Sequence, residues 1–259
     1  MSKNQDRGSL PYSVSQNFLT SSRLIRRLIS KTDLSDQDTV LVIGAGKGHI
    51  TKALSDRCKR VIAYEIDGKL FERLRGQIAA NVRLCHSDFL QCKLPESPYK
   101  VFANIPFSRT TEILTKLTRA PHPPSGIWLV MEKGAAKRFC GLPKENSTSL
   151  SLKPFFETKI VYHFRREDFH PAPRVDTVLL ELKCKESPDI QPAQRRNCHT
   201  FVSHSLRYGL FGPRALLTKK QIAMALRSAG LPPIPRSGDI LYVQWLCLFR
   251  CWRQFEKGN

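Results

Sequence analysis

The sequence predicts an α/β fold, in which a mostly parallel sheet with an antiparallel last strand precedes a small C-terminal helical domain. Three observations lead there. Between Asp38 and Met131, short β-branched runs alternate with amphipathic stretches, the pattern of parallel βαβ units. Two further strand-like runs, ETKIVYHFRRE (157–167) and DTVLLELK (176–183), are separated only by a segment containing FHPAPRV. That is too short for a crossover helix, so the pair should be antiparallel. Beyond Lys183 a polar, proline-bearing linker, KESPDIQPAQ, gives way to apolar residues at helical spacing.

Taken in order, TSSRLIRRLISKT (20–32) offers Ser/Thr caps before apolar positions 24, 25, 28 and 29, a helix with Arg23, Arg26 and Arg27 outward. It is placed to cover the mouth of a site. TVLVI (39–43) is the first strand of the βαβ series and HITKALSDRC (49–58) its helix. RVIAYE (60–65), NVRLC (81–85), KVFAN (100–104) and GIWLVM (126–131) follow as strands, with helices around 67–78 and 110–119. After the linker come FVSHSLRYGL, TKKQIAMALRSAG and DILYVQWLCLFRCW as helices. The expected division is therefore a catalytic domain over 1–184 and a helical domain over 185–259.

The 259 residues, 41% hydrophobic, suffice for a full core. Lys and Arg number 42 against 22 Asp and Glu, a net charge of +20 that predicts a polyanionic partner. Nucleic acid leads; an anionic membrane surface is the rival. Residues 181–259 hold 13 basic and 5 acidic side chains, so the helical part is the more densely positive. No apolar run approaches the roughly 18–20 residues of a membrane span, and the start MSKNQDRGSLPYSVSQ lacks the apolar core of a signal peptide. A cytoplasmic, monomeric protein is expected. The eight cysteines contain no CxxC pair, and Cys198 with His199 and His204 is the nearest approach to a metal cluster. No metal is expected.

The turn after the first βαβ strand is IGAGKGHIT, with glycines at 44, 46 and 48. A dinucleotide fingerprint GxGxxG starting at Gly44 would need a glycine where His49 stands. Glu65 closes the second strand, where an acid accepts from ribose hydroxyls, and Asp88 follows the third, where a carboxylate can accept from an adenine amine. Ribose and adenine contacts without a pyrophosphate fingerprint point to S-adenosylmethionine (AdoMet) above NAD. FANIPFSRT (102–110) ends a strand at Pro106, with Asn104 and Phe107 on either side.

With GAGKG, Glu65, Asp88 and NIPF in order, and SQNFL at 15–19, the chain resembles the rRNA adenine N6-methyltransferases. Within them it is most similar to the erythromycin-resistance (Erm) enzymes, relatives of the small-subunit rRNA dimethyladenosine transferases. The resemblance extends from about residue 9 to 255, through VMEKGAAKRF, FHPAPRVD and VQWLCLF. It implies a Rossmann-like AdoMet-dependent methyltransferase sheet, with cofactor contacts from Asn17, Leu19, Gly44, Gly46, Glu65, Asp88 and Asn104. It also implies methylation of adenosine N6 in 23S rRNA or its precursor, at the peptidyl-transferase region, with macrolide, lincosamide and streptogramin B resistance as the result. Members of the family often carry an acid where this chain has Val42, and Tyr where it has Phe107.

In that setting Asn104 and the Ile105 carbonyl would accept the two N6 hydrogens, and Phe107 would stack the extruded base. Phe169 is a candidate for the opposite face, whereas His170 reads as structural. Lys133, Lys137, Arg138, Arg165, Arg166, Arg207 and Arg214 are the candidates for RNA capture. Small-subunit rRNA dimethylation, or nucleic-acid binding without catalysis, are the alternatives; a DNA adenine methyltransferase is disfavoured by SQNFL.

Overall fold

The computed structural model describes residues 17–235 and 238–256. The leader-free start expected for residues 1–16, and Ser15 and Gln16 of SQNFL, lie outside them. The chain opens with β1 (Phe18–Leu19) and α1 (Ser22–Ile29). The Ser21 hydroxyl caps α1 by accepting from the Leu24 amide at 3.2 Å, and Ile25, Leu28 and Ile29 are its buried face. Arg23, Arg26 and Arg27 are exposed, as the spacing predicts.

The βαβ series follows as β2 (Thr39–Ile43), α2 (His49–Ser55), β3 (Arg60–Glu65), α3 (Gly68–Arg75), β4 (Val82–His86), β5 (Lys100–Asn104), α4 (Thr110–Thr118) and β6 (Gly126–Glu132). Next come α5 (Lys133–Cys140), α6 (Ser147–Leu152), β7 (Phe156–His163), β8 (Phe169–His170) and β9 (Thr177–Cys184). The last elements are α7 (Arg195–Tyr208), α8 (Lys219–Ser228) and α9 (Tyr242–Glu256).

Seven strands form one mixed sheet in the order β4-β3-β2-β5-β6-β9-β7, a Rossmann-like α/β architecture. The pairs β3/β4, β2/β3, β2/β5 and β5/β6 are parallel. β2 and β6 are buried almost throughout, because a parallel sheet carries helices on both faces and its strands read as continuous apolar runs. The amide of Phe164, just past β7, donates to the Thr177 carbonyl at the start of β9; that of Lys185, just past β9, donates to Phe155, just before β7. Those end-to-start contacts make β7 and β9 the antiparallel pair that the short connection requires.

By compactness the described chain divides into two units, one of residues up to Glu132 with Tyr162–Leu179, the other of Lys133–Val161 with residues from Leu180. This differs from a cut at the 184/185 linker. The reason is that α5 packs on α6 and α6 on α7, so two helices upstream of the linker join those that follow it. In the second unit Phe201 is the hub, its ring meeting Trp245, Phe249 and Trp252 at centroid distances of 5.4–6.2 Å. No helix among the described residues is long and apolar enough to cross a membrane.

Candidate active site

Parallel strands end together, so the carboxyl ends of β2, β3, β4 and β5 gather loops on one edge of the sheet, where open α/β sheets bind ligands. A hollow open to solvent lies there, lined by Asn17, Leu19, Gly44, Gly46, Glu65, Asp88, Asn104 and Phe107 among others. The candidate cofactor contacts, together with Asn104 and Phe107, are thus brought to one hollow. The helix α1 supplies none of the lining; β1, just before it, does. The covering role expected of that helix is therefore corrected: it packs on α2.

Leaving β2, the chain turns through Gly44, Gly46 and Gly48 at φ of +73°, +55° and +82°, conformations that side chains rarely adopt. The amides of Gly44 and Ala45 both donate to the Tyr64 carbonyl at 2.9 Å, Gly46 donates to Glu65 Oε2 at 2.7 Å, and Gly48 to the Ala45 carbonyl at 2.9 Å. These four N–H groups bind their own protein, so none of the four is offered to a ligand. The chain then enters α2 at His49, where a dinucleotide fingerprint would have its third glycine.

Glu65 is buried, and its Oε1 accepts from the Ile66 and Asp67 amides at 2.9 Å each. Three backbone donors therefore fix one carboxylate at the cavity wall, with one lone-pair site of Oε2 left over for a hydroxyl. Asp88 caps the turn that follows β4, its Oδ1 accepting from Leu90 at 2.8 Å. Its Oδ2 takes no hydrogen bond among the described residues and remains an acceptor.

At the end of β5, Asn104 Nδ2 donates to the Asn17 carbonyl at 2.7 Å. A carbonyl can only accept, so the amide group facing it must be NH₂, and the Asn104 oxygen is turned elsewhere. Neither that oxygen nor the Ile105 carbonyl accepts a hydrogen bond among the described residues. Pro106 stops the strand at this point, and the half-buried Phe107 opens the turn into α4. The result is a pair of unused acceptors beside an aromatic face.

Phe169 does not join them. It is 4% exposed, its ring meets Phe164 edge-on at 5.2 Å, and its backbone pairs with Leu19. A place opposite Phe107 is therefore corrected to a packing role, since the β1/β8 pairing turns this ring into the interior. His170 is exposed and lines no part of the cavity. Val42 is fully buried in β2, where an acid would need a partner, and it too is absent from the lining.

Sequence reasoning missed the Phe18 ring and Lys47. Phe18 Cε1 lies 2.7 Å from where a Cβ on Gly46 would sit, and the Lys47 ammonium stands 5.0 Å from the Phe18 centroid. The glycine triplet and SQNFL were both visible, but not that they touch. Gly46→Ala is expected to displace that ring and to cost about 1–3 kcal/mol of stability, read as a lower melting temperature. Gly76→Ala is the control, because nothing lies within 4 Å of its added methyl; equal melting temperatures for the two would exclude the contact.

No thiol lines the cavity. Burial pushes the Cys58 and Cys198 thiols up to about 11, away from nucleophilic thiolate. On α7, Cys198 is buried whereas His199 is exposed, and among the described residues no three metal-ligating side chains converge.

Residues 9–207 match the family model described as ribosomal RNA adenine dimethylase. The chain is 30% identical to an rRNA adenine N-6-methyltransferase of Bacillus licheniformis over 98% of its own length and 91% of the relative's. It is 33% identical to one of Lysinibacillus sphaericus, covering 93% and 96%. Among solved structures, the 23S rRNA methyltransferase ErmE superimposes with a TM-score of 0.77 at 26% identity, over 92% of this chain and all of that one. A dimethyladenosine transferase from Plasmodium falciparum shares the fold, with a TM-score of 0.71 at 20% identity over 92% and 97%. A family match across most of the chain and relatives spanning nearly its whole length give one conclusion: this chain belongs to the ribosomal RNA adenine dimethylase family, as an rRNA adenine N6-methyltransferase.

Proposed function

We propose that the chain methylates N6 of an adenosine in 23S rRNA at the peptidyl-transferase region, with AdoMet as donor, and so confers macrolide, lincosamide and streptogramin B resistance. The observation that carries the chemistry is the pair of unused acceptors, Asn104 Oδ1 and the Ile105 carbonyl, at the cavity wall. The resemblance to ErmE over the whole of that enzyme supports the choice of rRNA.

AdoMet supplies a methyl group already activated on a sulfonium. Glu65 would hold its ribose, Asp88 its adenine amine, and Asn17, Leu19, Gly44 and Gly46 would wall it in. An adenine N6 lone pair is delocalised into the ring and nucleophilically weak. Two oxygen acceptors drawing on its two hydrogens favour the pyramidal nitrogen that can attack, and hold it in line. Neither acceptor is a base, so the proton released on transfer leaves to water. Phe107 offers a face for the extruded base, a stacking contact worth about 1–3 kcal/mol that needs no hydroxyl.

RNA capture falls to exposed cations. Lys137, Arg138, Arg166, Arg207 and Arg214 are exposed; Lys133 is half-buried and Arg165 is paired with Glu167 at 3.3 Å. Each phosphate neutralised makes binding more salt-sensitive. The enzyme would work in the cytoplasm as a monomer.

Primer extension on rRNA from cells expressing the chain, alongside erythromycin susceptibility, tests the assignment. A stop at a large-subunit adenosine with raised resistance is expected, weakened by Phe107→Ala and kept by Phe107→Tyr. A small-subunit stop without resistance would instead establish the dimethyladenosine transferase of ribosome biogenesis.

A further inference from the structure

Between Asp189 and Asp239 the chain contains no Asp or Glu across 49 residues, while eight Lys and Arg fall within them. At the middle of this acid-free run, α7 ends and the chain makes a close turn. Gly209 has a φ of +77°, and a Cβ on Gly212 would lie 2.5 Å from the Tyr208 carbonyl oxygen, so only glycine lets the backbone fold back this tightly. The Ala215 amide then donates to the Gly212 carbonyl at 3.0 Å, and Leu210 and Leu217 are buried anchors on either side.

This turn does two things. It brings the Arg214 guanidinium to 5.2 Å from the Tyr208 ring centroid, where Arg207 already stands at 5.3 Å. It also holds Phe211 outward, 52% exposed. Both arginines are exposed and neither forms an ion pair among the described residues. Two like charges share one aromatic ring, neither in an ion pair among the described residues, and three residues along the chain from that ring a phenyl group is left in water.

We propose that Arg207, Tyr208, Phe211 and Arg214 form an RNA subsite, in which one unpaired base stacks on Phe211 and its flanking phosphates neutralise the two guanidiniums. It rests on the reading of the chain as an RNA-modifying enzyme and adds where, outside the methyl-transfer cavity, single-stranded RNA is gripped. The combination selects this ligand. An apolar protein surface would cover Phe211 but leave the arginines uncompensated; a base-free polyanion would satisfy the arginines and have no use for the phenyl ring. A nucleotide answers both.

The test uses the full-length chain and two probes, a short fluorescein-labelled single-stranded oligoribonucleotide of mixed sequence and labelled heparin, with anisotropy read across a salt series. Phe211→Ala should weaken RNA binding by about fivefold or more, leave heparin binding and the RNA salt slope unchanged, and be rescued by Phe211→Tyr. The double variant Arg207→Gln/Arg214→Gln should flatten the RNA salt slope by about 1.4, at about 0.7 per phosphate contact. RNA affinity within twofold of wild type in Phe211→Ala, equal losses on both probes, or an unchanged slope in the double variant would overturn the subsite. Transfer of methyl to rRNA by the wild-type chain is measured in parallel. If that transfer is absent the enzymatic reading fails, whereas transfer with indifferent Phe211 and arginine variants removes the subsite alone.

Discussion

Asn104→Ala is expected to reduce methyl transfer by at least about 10²–10³-fold while changing RNA affinity little, because on the proposed reading the lost oxygen would act on the reacting nitrogen and not on the RNA backbone. Labelled-methyl transfer beside filter binding measures the two quantities. Near-normal turnover would remove Asn104 from the catalytic role. Asn104→Asp sharpens the point, for it keeps two oxygens and loses only the NH₂. In the native chain that NH₂ donates to the Asn17 carbonyl at 2.7 Å. An ionised carboxylate would set oxygen against oxygen there, so the aspartate variant should also be impaired, although by acceptor count it is richer than the wild type. Restored transfer in Asn104→Asp at neutral pH would show that the Asn17 contact does not orient the side chain.

The second large effect is expected at Glu65. Three backbone N–H groups, from Gly46, Ile66 and Asp67, converge on its two oxygens. Glutamine has the same shape but one oxygen, so its NH₂ must face either Gly46 or the Ile66/Asp67 pair, donor against donor. A buried donor left without an acceptor costs about 1–3 kcal/mol. Glu65→Gln should therefore lower the melting temperature and weaken AdoMet binding by about tenfold or more, since the same carboxylate positions the glycine turn and, on the proposed reading, would hold the ribose. Calorimetric titration with AdoMet measures the second effect. Affinity equal to wild type would mean that Glu65 holds the turn and does not touch the cofactor.

The gathering of these residues was legible in the sequence because they stand at strand ends. Glu65 and Asn104 end their strands and Asp88 comes two residues after one, and parallel strands deliver such ends to one edge whatever lies between them. What escaped was set by distance along the chain. Phe169 looks from the sequence like a ring beside a proline turn; its burial follows from pairing with Leu19, far upstream, which no local pattern encodes. The helices α5 and α6 were missed for a different reason. Gly134 and the serine-rich STSLSL have weak helix propensity, and the second is held by the Asn146 cap, which accepts from Thr148 and Ser149. The domain cut moved with them, because a linker in the sequence marks where polarity changes and not which helices pack together.

The two-residue pairing of Phe18–Leu19 with Phe169–His170 has a consequence for the order of synthesis. A growing chain that has reached β6 already contains the glycine turn, both acids and NIPF, but the strand that fixes Phe18 over the turn has not yet been made. This wall gains its strand partner only when Phe169 and His170 emerge. Competence to hold a nucleoside would thus arrive late in translation, after the whole parallel sheet has been laid down.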